Sequence, residues 1–461
     1  MKVIKTDKGY VSGTVLGKPG QEVSIFRGIP FAAPPVGKLR WQPPQPAMPW
    51  EGTRECTDFS CISPQLTIPG MSGELPQSED CLYLNVITPA KDPDEKLPVL
   101  VWMHGGGYTM GCGNDIIWNN YRLPLHGAVV VTLNHRLGPI GLLAHPSLTK
   151  EQDGASGNYL FMDLIASLEW IKNNIRGFGG DPDNVTIFGE SGGGAKVSIM
   201  MASPQARGLF HRAICESGTA TAILNGQPLR TMEKYGEDFF NNLGVKTLAE
   251  ARQVPFKKII EVAQSMEPPR RPGERPTPVW DSTVDGQLIP DDPTVLFASG
   301  RINAVPLIVS ANLGELVGPG LLVMPFIIPA YVDMLKAVTK QGHAGYAMIF
   351  DQVPSTWRAE GCNAVHSIEL PYVFGDYDDT TGWWKSVWMI AQHSGAKTED
   401  PGLTGTDEAI SEAMMSLWTS FARDGNPKAD SVPGWPAYDD ADEYLYVNEK
   451  LDVRQGFSNI P

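Results

Sequence analysis

The chain has 461 residues, of which 52 are acidic and 37 are basic, so its formal net charge at pH 7 is −15. This surplus of negative charge argues against non-specific binding to nucleic acid or to an anionic membrane surface, because both need basic patches. No apolar run approaches the ~20 residues of a membrane-spanning helix, and residues 1–13 lack the apolar core of a signal peptide. We therefore expect a protein with no membrane span that is cytoplasmic, or secreted if a leader was removed. Its oligomeric state does not follow from composition.

The cysteines and histidines give no support to a metal site. Six cysteines in a chain of this length do not make a disulfide scaffold. The sequence contains no C-x-x-C pair and no His-x-x-x-His or His-Glu-x-x-His spacing, which are the usual arrangements of zinc ligands. We expect neither a metal nor a cofactor.

The first fifty residues are rich in turn formers. Residues 8–13 and 23–26 have the pattern of short antiparallel strands. The proline-dense stretch 28–46 excludes a helix or a central strand, because proline fixes φ and removes a hydrogen-bond donor.

A different pattern begins near residue 97. Four continuous apolar runs, at 97–103, 128–133, 184–188 and 305–309, indicate strands that are buried on both faces. Between them, apolar residues at helical spacing predict an amphipathic helix over 158–176.

Strands that alternate with helices predict an α/β fold. We expect one domain over residues 1–461, with a large, mostly parallel central sheet flanked by helices and small antiparallel strands at the N-terminus. The one candidate linker, residues 267–278, is short.

The most informative motif is G-E-S-G-G at residues 189–193, directly after the predicted strand 184–188. Strand, tight turn and helix form the context in which G-x-S-x-G exposes a nucleophilic serine. Glycines allow the sharp turn, and the start of the following helix places the Gly192 N–H where negative charge would develop. Ser191 is therefore the candidate nucleophile, and a merely structural turn is the alternative.

A phosphate-binding loop is a second alternative for the same segment. Gly189 and Gly194 have the spacing of its two glycines, but that motif requires lysine directly after the second glycine, followed by Ser or Thr. Ala195 precedes Lys196 here, and Val197 follows it. The segment is therefore not expected to bind phosphate.

A second glycine-rich loop, H-G-G-G at residues 104–107, follows the predicted strand 97–103. It matches the loop that supplies backbone N–H donors to an oxyanion, and a flexible turn is the alternative. The predicted oxyanion hole consists of the N–H groups of Gly106, Gly107 and Gly192.

Chain order limits the choice of the general base, since the order nucleophile, acid, base is expected in this fold. Of the histidines after Ser191, His211 follows too closely to leave room for another strand and an acid-bearing loop. His366 follows a loop of small residues, whereas His343 and His393 lie in polar segments.

The candidate acid is Glu315, which follows the predicted strand 305–309 as a residue of a strand-end loop should. Asp285, in the tripeptide Val-Asp-Gly, is the competitor, and its surroundings are typical of an ordinary turn.

Several longer motifs resemble the type-B carboxylesterase family, the cholinesterase-like branch of the α/β-hydrolases. They are FRGIPFAAPPVG at 26–37, EDCLYLNV at 79–86, NHRLG at 134–138, FGGDP at 178–182 and WTSFARDGNP at 418–427. The resemblance implies a Ser-Glu-His triad at Ser191, Glu315 and His366.

The resemblance also implies residues around the triad. Ser217 matches a serine that supports the acid, and Glu190 is expected to support the triad beside the nucleophile. Cys61 and Cys81 match a pair that forms a disulfide in many secreted members, so we expect that bond only in an oxidising compartment.

Two features depart from the family pattern. The family usually has Asn-x-Asp-Glu-Gly around the acid, whereas residues 312–316 read NLGEL. Glu315 and His366 are only 51 positions apart, so the helical insertion before the catalytic histidine is shortened. We hypothesise that this shortening opens the acyl side of the pocket or leaves that wall to a partner subunit.

The expected function is hydrolysis of small-molecule carboxylic esters through an acyl-enzyme, without a cofactor. Activity should rise with pH through the histidine pKa of roughly 6.5. Two other functions stay open. Adhesion proteins of the same fold lack the catalytic serine and only bind partners, and an acyltransferase would use an acceptor other than water. Competition by added alcohols distinguishes acyl transfer from hydrolysis.

Overall fold

The computed structural model describes residues 2–68, 73–222, 224, 226–268, 279–315, 324–432 and 434–460, with the backbone alone at 324 and 325. Most of the predicted linker 267–278 lies outside these ranges. The described strands are β1 (Val3–Lys5), β2 (Tyr10–Ser12), β3 (Thr14–Lys18), β4 (Gln21–Pro30), β5 (Thr53–Glu55), β6 (Tyr83–Thr88), β7 (Leu97–Trp102), β8 (Val129–Leu133), β9 (Gly180–Glu190), β10 (Arg212–Glu216), β11 (Gln227–Pro228), β12 (Thr283–Val284), β13 (Leu307–Asn312), β14 (Gly345–Phe350), β15 (Glu443–Val447) and β16 (Leu451–Gln455).

The described α-helices all come after β7 and before β15 in the chain. The described α-helices are α1 (Arg122–Leu125), α2 (Gly138–Leu142), α3 (Pro146–Glu151), α4 (Tyr159–Asn174), α5 (Gly192–Ala202), α6 (Leu229–Leu243), α7 (Leu248–Ala251), α8 (Phe256–Met266), α9 (Pro293–Ala298), α10 (Met324–Thr339), α11 (Ser355–Ala359), α12 (Leu370–Phe374), α13 (Trp384–Ala391) and α14 (Gly405–Asp424).

Eleven strands form one twisted sheet in the order β16-β15-β14-β13-β10-β9-β7-β8-β6-β4-β3. The pairings from β8 through β7, β9, β10, β13 and β14 to β15 are all parallel, and the pairings at both ends are antiparallel. The predicted α/β fold with a large, mostly parallel central sheet is confirmed.

The central strands β7 and β8 are mostly apolar, without regular alternation of polar residues, because both faces of the sheet are covered. In β7, Val99 and Val101 belong to one buried cluster, whereas Leu100 and Trp102 belong to the cluster on the opposite face. Helix α4 packs its apolar side into the first cluster, and α14 packs into the second. The helix predicted over 158–176 is therefore confirmed, with its α-helical part at Tyr159–Asn174.

The carboxyl ends of the parallel strands lie along one edge of the sheet, as in other open α/β sheets. The register aligns Trp102 of β7 with Phe188 of β9, Glu190 of β9 with Glu216 of β10, and Glu216 in turn with Ser310 of β13. The loops after β7, β9 and β13 carry the three predicted catalytic segments, so the topology brings these segments to one edge.

No helix of the described ranges is long and apolar enough to cross a membrane. Across the same ranges, no three or more His, Cys, Asp or Glu side chains are grouped as a metal ion would require. All six cysteines are free thiols, and burial raises the pKa of the Cys81 thiol well above its ordinary value.

Candidate active site

Ser191 lies on a sharp turn between β9 and α5. Its backbone has φ 57° and ψ −123°, a conformation that costs energy for any residue with a Cβ. The turn fits only because its neighbours are glycines: a Cβ at Gly193 would lie 2.0 Å from the Met103 carbonyl oxygen, and one at Gly189 would lie 2.5 Å from the same atom. The Ser191 N–H donates to the Glu216 carbonyl at 2.8 Å and ties the turn to β10.

The loop after β7 lies directly against this turn. Gly106 and Gly107 have φ values of 83° and 62°, which favour glycine. A Cβ at Gly192 would lie 2.1 Å from the Gly107 carbonyl oxygen, so the loop touches the first residue of α5. No acceptor among the described residues takes the N–H groups of Gly106 and Gly107. Both donors are therefore available to a negatively charged oxygen of a substrate.

His104 is part of this loop, and its side chain is buried in the interior. Its Nδ1 lies 3.0 Å from the Gly105 carbonyl oxygen, which accepts hydrogen bonds only, so Nδ1 carries the proton. The ring stacks on His135 with 4.5 Å between centroids and an angle of 3°. Burial and the nearby Lys196 ammonium lower the pKa of His104 well below its ordinary value. The imidazole is therefore neutral and is held within the loop.

The predicted acid and base are in contact. Nδ1 of His366 lies 2.5 Å from Oε2 of Glu315, whose side chain has no exposed surface. The other carboxylate oxygen, Oε1, accepts from the Asn312 N–H at 2.8 Å. The departure from the family pattern around Glu315 does not prevent this contact. Gly314 explains part of the geometry, since a Cβ there would lie 2.6 Å from the side chain of Asn363.

The second ring nitrogen of His366 faces Glu190 and not the nucleophile. Nε2 lies 3.1 Å from Oε1 of Glu190, and that oxygen also accepts from the Ser367 hydroxyl at 2.7 Å. Ser191 and His366 are both described, and no hydrogen bond joins the serine hydroxyl to the ring. The imidazole is thus held between two carboxylates in this conformation.

This position determines the protonation of His366. Burial by itself would lower the pKa of the ring, but the charges of Glu190 and Glu315 outweigh it and raise the pKa to about 10. Burial also raises the pKa of Glu190, which limits how much charge Glu190 contributes at neutral pH. The pKa of His366 is raised whether Glu190 is ionised or partly protonated. It therefore lies above the value of roughly 6.5 that the sequence analysis assumed.

Two further carboxyl groups lie behind the triad. Glu369 accepts from the Asn312 side chain at 2.6 Å and from the Ser217 hydroxyl at 3.4 Å, and burial raises its pKa to about 8. Glu216 accepts from the Trp418 indole at 3.3 Å. Ser217 therefore contacts Glu369 and Asn312, while its hydroxyl makes no hydrogen bond to Glu315.

Neither Glu369 nor Glu216 was predicted from the sequence. Both lie close in sequence to residues that were predicted. Glu369 is three positions after His366, and Glu216 directly precedes Ser217. That proximity was the available signal.

The competing candidates lie apart from this group. Asp285 accepts from the Asn158 side chain and from the N–H groups of Gln287 and Ile289, which makes it a turn residue. His211 accepts from the Val185 N–H at the start of the apolar part of β9, and His393 is exposed.

Comparison with known proteins identifies the family. The model of the Carboxylesterase family matches residues 1–324 and 320–459. The chain belongs to the carboxylesterase family. It is therefore a carboxylic ester hydrolase, and the resemblance predicted from the sequence motifs is confirmed. The two matched parts meet at 320–324, between Glu315 and His366, where the sequence predicts a shortened insertion; residues 316–323 lie outside the described ranges.

Relatives match this carboxylesterase along almost its whole length. Fumonisin B1 esterase of Sphingopyxis macrogoltabida is 32% identical, covering 98% of this chain and 88% of the relative. Para-nitrobenzyl esterase of Bacillus subtilis is 31% identical, covering 98% and 96% respectively. A solved structure of a PNB esterase superposes with a TM-score of 0.80 at 27% identity, covering 98% of this chain and 97% of that chain.

Proposed function

We propose that this carboxylesterase cleaves small-molecule esters through an acyl-enzyme formed on Ser191, with His366 as general base and Glu315 as the group that orients it. The observation that carries the proposal is the 2.5 Å contact between His366 Nδ1 and Glu315 beside the turn that exposes Ser191. Such a contact fixes the tautomer with an unprotonated Nε2, which is the form that accepts the serine proton.

Catalysis begins when neutral His366 takes the proton of the Ser191 hydroxyl as its oxygen attacks the ester carbonyl. The N–H groups of Gly106, Gly107 and Gly192 stabilise the oxyanion of the tetrahedral intermediate, usually the largest catalytic contribution. The protonated imidazole then gives its proton to the leaving alcohol, and Glu315 stabilises the transient imidazolium. Water, activated by the same ring, cleaves the acyl-enzyme and releases the acid.

Before the first step, Nε2 of His366 has to exchange its contact with Glu190 for one with Ser191. Glu190 and Ser191 are adjacent in sequence, so the exchange takes place between two neighbouring residues of the same turn. Hydrogen bonds of catalytic groups commonly form only when substrate is bound. Entry of the ester also excludes water, which favours the uncharged pair of serine and imidazole.

The test compares the native chain with Ser191→Ala and with Ser147→Ala, an exposed serine on α3. In rapid mixing with p-nitrophenyl butyrate, the native chain and Ser147→Ala should turn over at the same rate. Ser191→Ala should fall to the rate of the uncatalysed reaction, because no acyl-enzyme can form. A burst of nitrophenol in the native chain would show that deacylation is the slower step. Retention of turnover by Ser191→Ala would reject the proposal.

A further inference from the structure

The proposed mechanism makes no use of Lys196, a lysine on α5 only five positions after Ser191. Its side chain has no exposed surface, and its Nζ donates to the carbonyl oxygen of His104 at 2.8 Å. The remaining residues of α5 are small or apolar apart from Ser198. Lys196 is therefore the one charged side chain of this helix, and its contact is with the first residue of the oxyanion loop.

Burial of an ammonium group is costly unless other groups compensate it. The ring of Tyr108 lies 6.0 Å from Nζ, and the nearest carboxylate that raises the pKa of Lys196 is Glu190. Burial nevertheless dominates and lowers that pKa to about 7. A buried lysine here thus costs more free energy than an apolar side chain that filled the same space. The group that it binds directly is the His104 carbonyl.

That hydrogen bond acts on a row of linked peptide groups. A trans peptide is planar, so the carbonyl of one residue and the N–H of the next turn together. Lys196 holds the carbonyl of the peptide between His104 and Gly105. The His104 ring holds the carbonyl of the next peptide, at 3.0 Å, and this peptide carries the N–H of Gly106. Two consecutive peptides before the oxyanion donors are therefore fixed.

Backbone hydrogen bonds anchor the loop on either side of the peptides between residues 104 and 106, and those peptides depend on the two bonds just described. On one side, the Met103 N–H donates to the Phe188 carbonyl at 2.8 Å. On the other side, the Gly106 carbonyl accepts from the Met110 N–H at 3.1 Å. Gly105, Gly106 and Gly107 have no side chains to restrict their rotation. Without a bond at the His104 carbonyl, the N–H groups would sample orientations that do not face the substrate oxygen.

We propose that Lys196 is a positioning residue for ester hydrolysis: its ammonium group holds the His104 carbonyl and so orients the N–H groups of the oxyanion loop. The inference rests on the proposed function, because it concerns the loop that is assigned to the oxyanion there. The competing role is a structural one, in which Lys196 only balances the buried charge of Glu190.

The test uses Lys196→Met, which keeps the length and apolar stem of the side chain and removes the donor. Ile199→Val, a buried change on the same helix, controls for altered packing. Each variant is measured for kcat, for KM and for binding of two inhibitors with the same acyl chain. One inhibitor is a trifluoromethyl ketone, which adds to the serine and forms an oxyanion. The other is the corresponding methyl ketone, which binds mainly as the uncharged ketone.

A positioning role predicts a loss in kcat of about 10- to 100-fold with little change in KM. The affinity for the trifluoromethyl ketone should fall by a similar factor, while that for the methyl ketone stays within about twofold. Equal losses for both ketones, or a kcat at the level of Ile199→Val, would overturn the proposal. If Lys196→Met does not fold, Lys196→Leu, which also lacks a hydrogen-bond donor, is measured in the same way, with the same two outcomes.

Ser191→Ala, measured in parallel, separates this inference from the function on which it rests. If Ser191→Ala is inactive and Lys196→Met is fully active, the role of Lys196 is wrong and the serine mechanism stands. If Ser191→Ala retains turnover, the serine mechanism itself is wrong.

Discussion

Replacing Glu190 by glutamine should shift the pH dependence of ester hydrolysis toward acid. The substitution keeps the shape of the side chain and an oxygen for the Ser367 hydroxyl, but removes one of the two negative charges that face His366. With that charge gone, the neutral imidazole needed as a base is populated at lower pH. The acid limb of kcat/KM, which reports the free enzyme, should therefore move down in pH.

The contact distance gives the size of the shift. A full charge at 3.1 Å from Nε2, with an effective dielectric constant of about 20, contributes about 5 kcal/mol. That energy corresponds to about four pKa units and is an upper bound. Burial raises the pKa of Glu190 and so removes part of its charge near neutrality. We therefore expect a shift of about one to three pH units.

The assay is pH-stat titration of ethyl butyrate hydrolysis between pH 5 and 10, because an unactivated ester has little background hydrolysis in alkali. Glu237→Gln, an exposed change of the same charge on α6, is the matched control and should leave the midpoint unchanged. A midpoint that stays in place or moves to higher pH in Glu190→Gln would refute the view that Glu190 stabilises the protonated ring.

Three further predictions concern the acid, the turn and a buried ion pair. Glu315→Gln should lower kcat by about 10³- to 10⁴-fold, since the ring loses its orienting carboxylate, whereas Asp285→Asn in the same nitrophenyl ester assay should retain native kcat. Gly193→Ala should lower the free energy of unfolding by about 1–3 kcal/mol in urea titration, because its Cβ would meet the Met103 carbonyl; an unchanged unfolding midpoint would show that the turn relaxes freely. Arg136→Met should cost about 3–5 kcal/mol of stability by leaving Asp163 buried without its partner. Burial raises the pKa of Asp163 even beside Arg136, so the variant should regain stability as pH falls from 8 to 5, when the carboxyl takes up a proton, and a loss that is independent of pH would contradict this.

The sequence was sufficient for the sheet because burial on both faces leaves a direct pattern. The runs at 97–103, 128–133 and 184–188 became β7, β8 and β9, since a strand with no polar face has no other place in an α/β protein. The predicted ends differ most for β9, which begins at Gly180. Residues 180–184 read GDPDN, a turn-forming composition, so neither hydrophobicity nor propensity indicates a strand there.

The candidate site was predictable where glycines restrict the backbone, and much less so where side chains meet across the fold. Ser191 and the loop of Gly106 and Gly107 follow from local sequence. The contact between Glu190 and His366 joins residues 176 positions apart and depends on rotamers that no local pattern specifies. Lys196 entered the sequence analysis only as a lysine in the wrong place for a phosphate loop, because its burial against His104 is a tertiary property.

The buried carboxyl groups near His366 make the free energy of unfolding and the proposed catalysis depend on pH in opposite directions. Burial raises the pKa of Glu216 and Glu369, so both bind protons more tightly in the folded chain than in the unfolded one. The folded state is therefore favoured at low pH, and it loses that advantage as pH rises from about 4 toward the raised values. In the proposed mechanism His366 needs the opposite change, because Glu190 and Glu315 raise the pKa of its ring and its neutral form is favoured as pH rises. On the proposed mechanism, we expect the upper pH limit of activity to follow the tolerance of the interior for ionised carboxylates. Selection for activity in strong alkali should then first replace Glu216, which has no catalytic role in that mechanism.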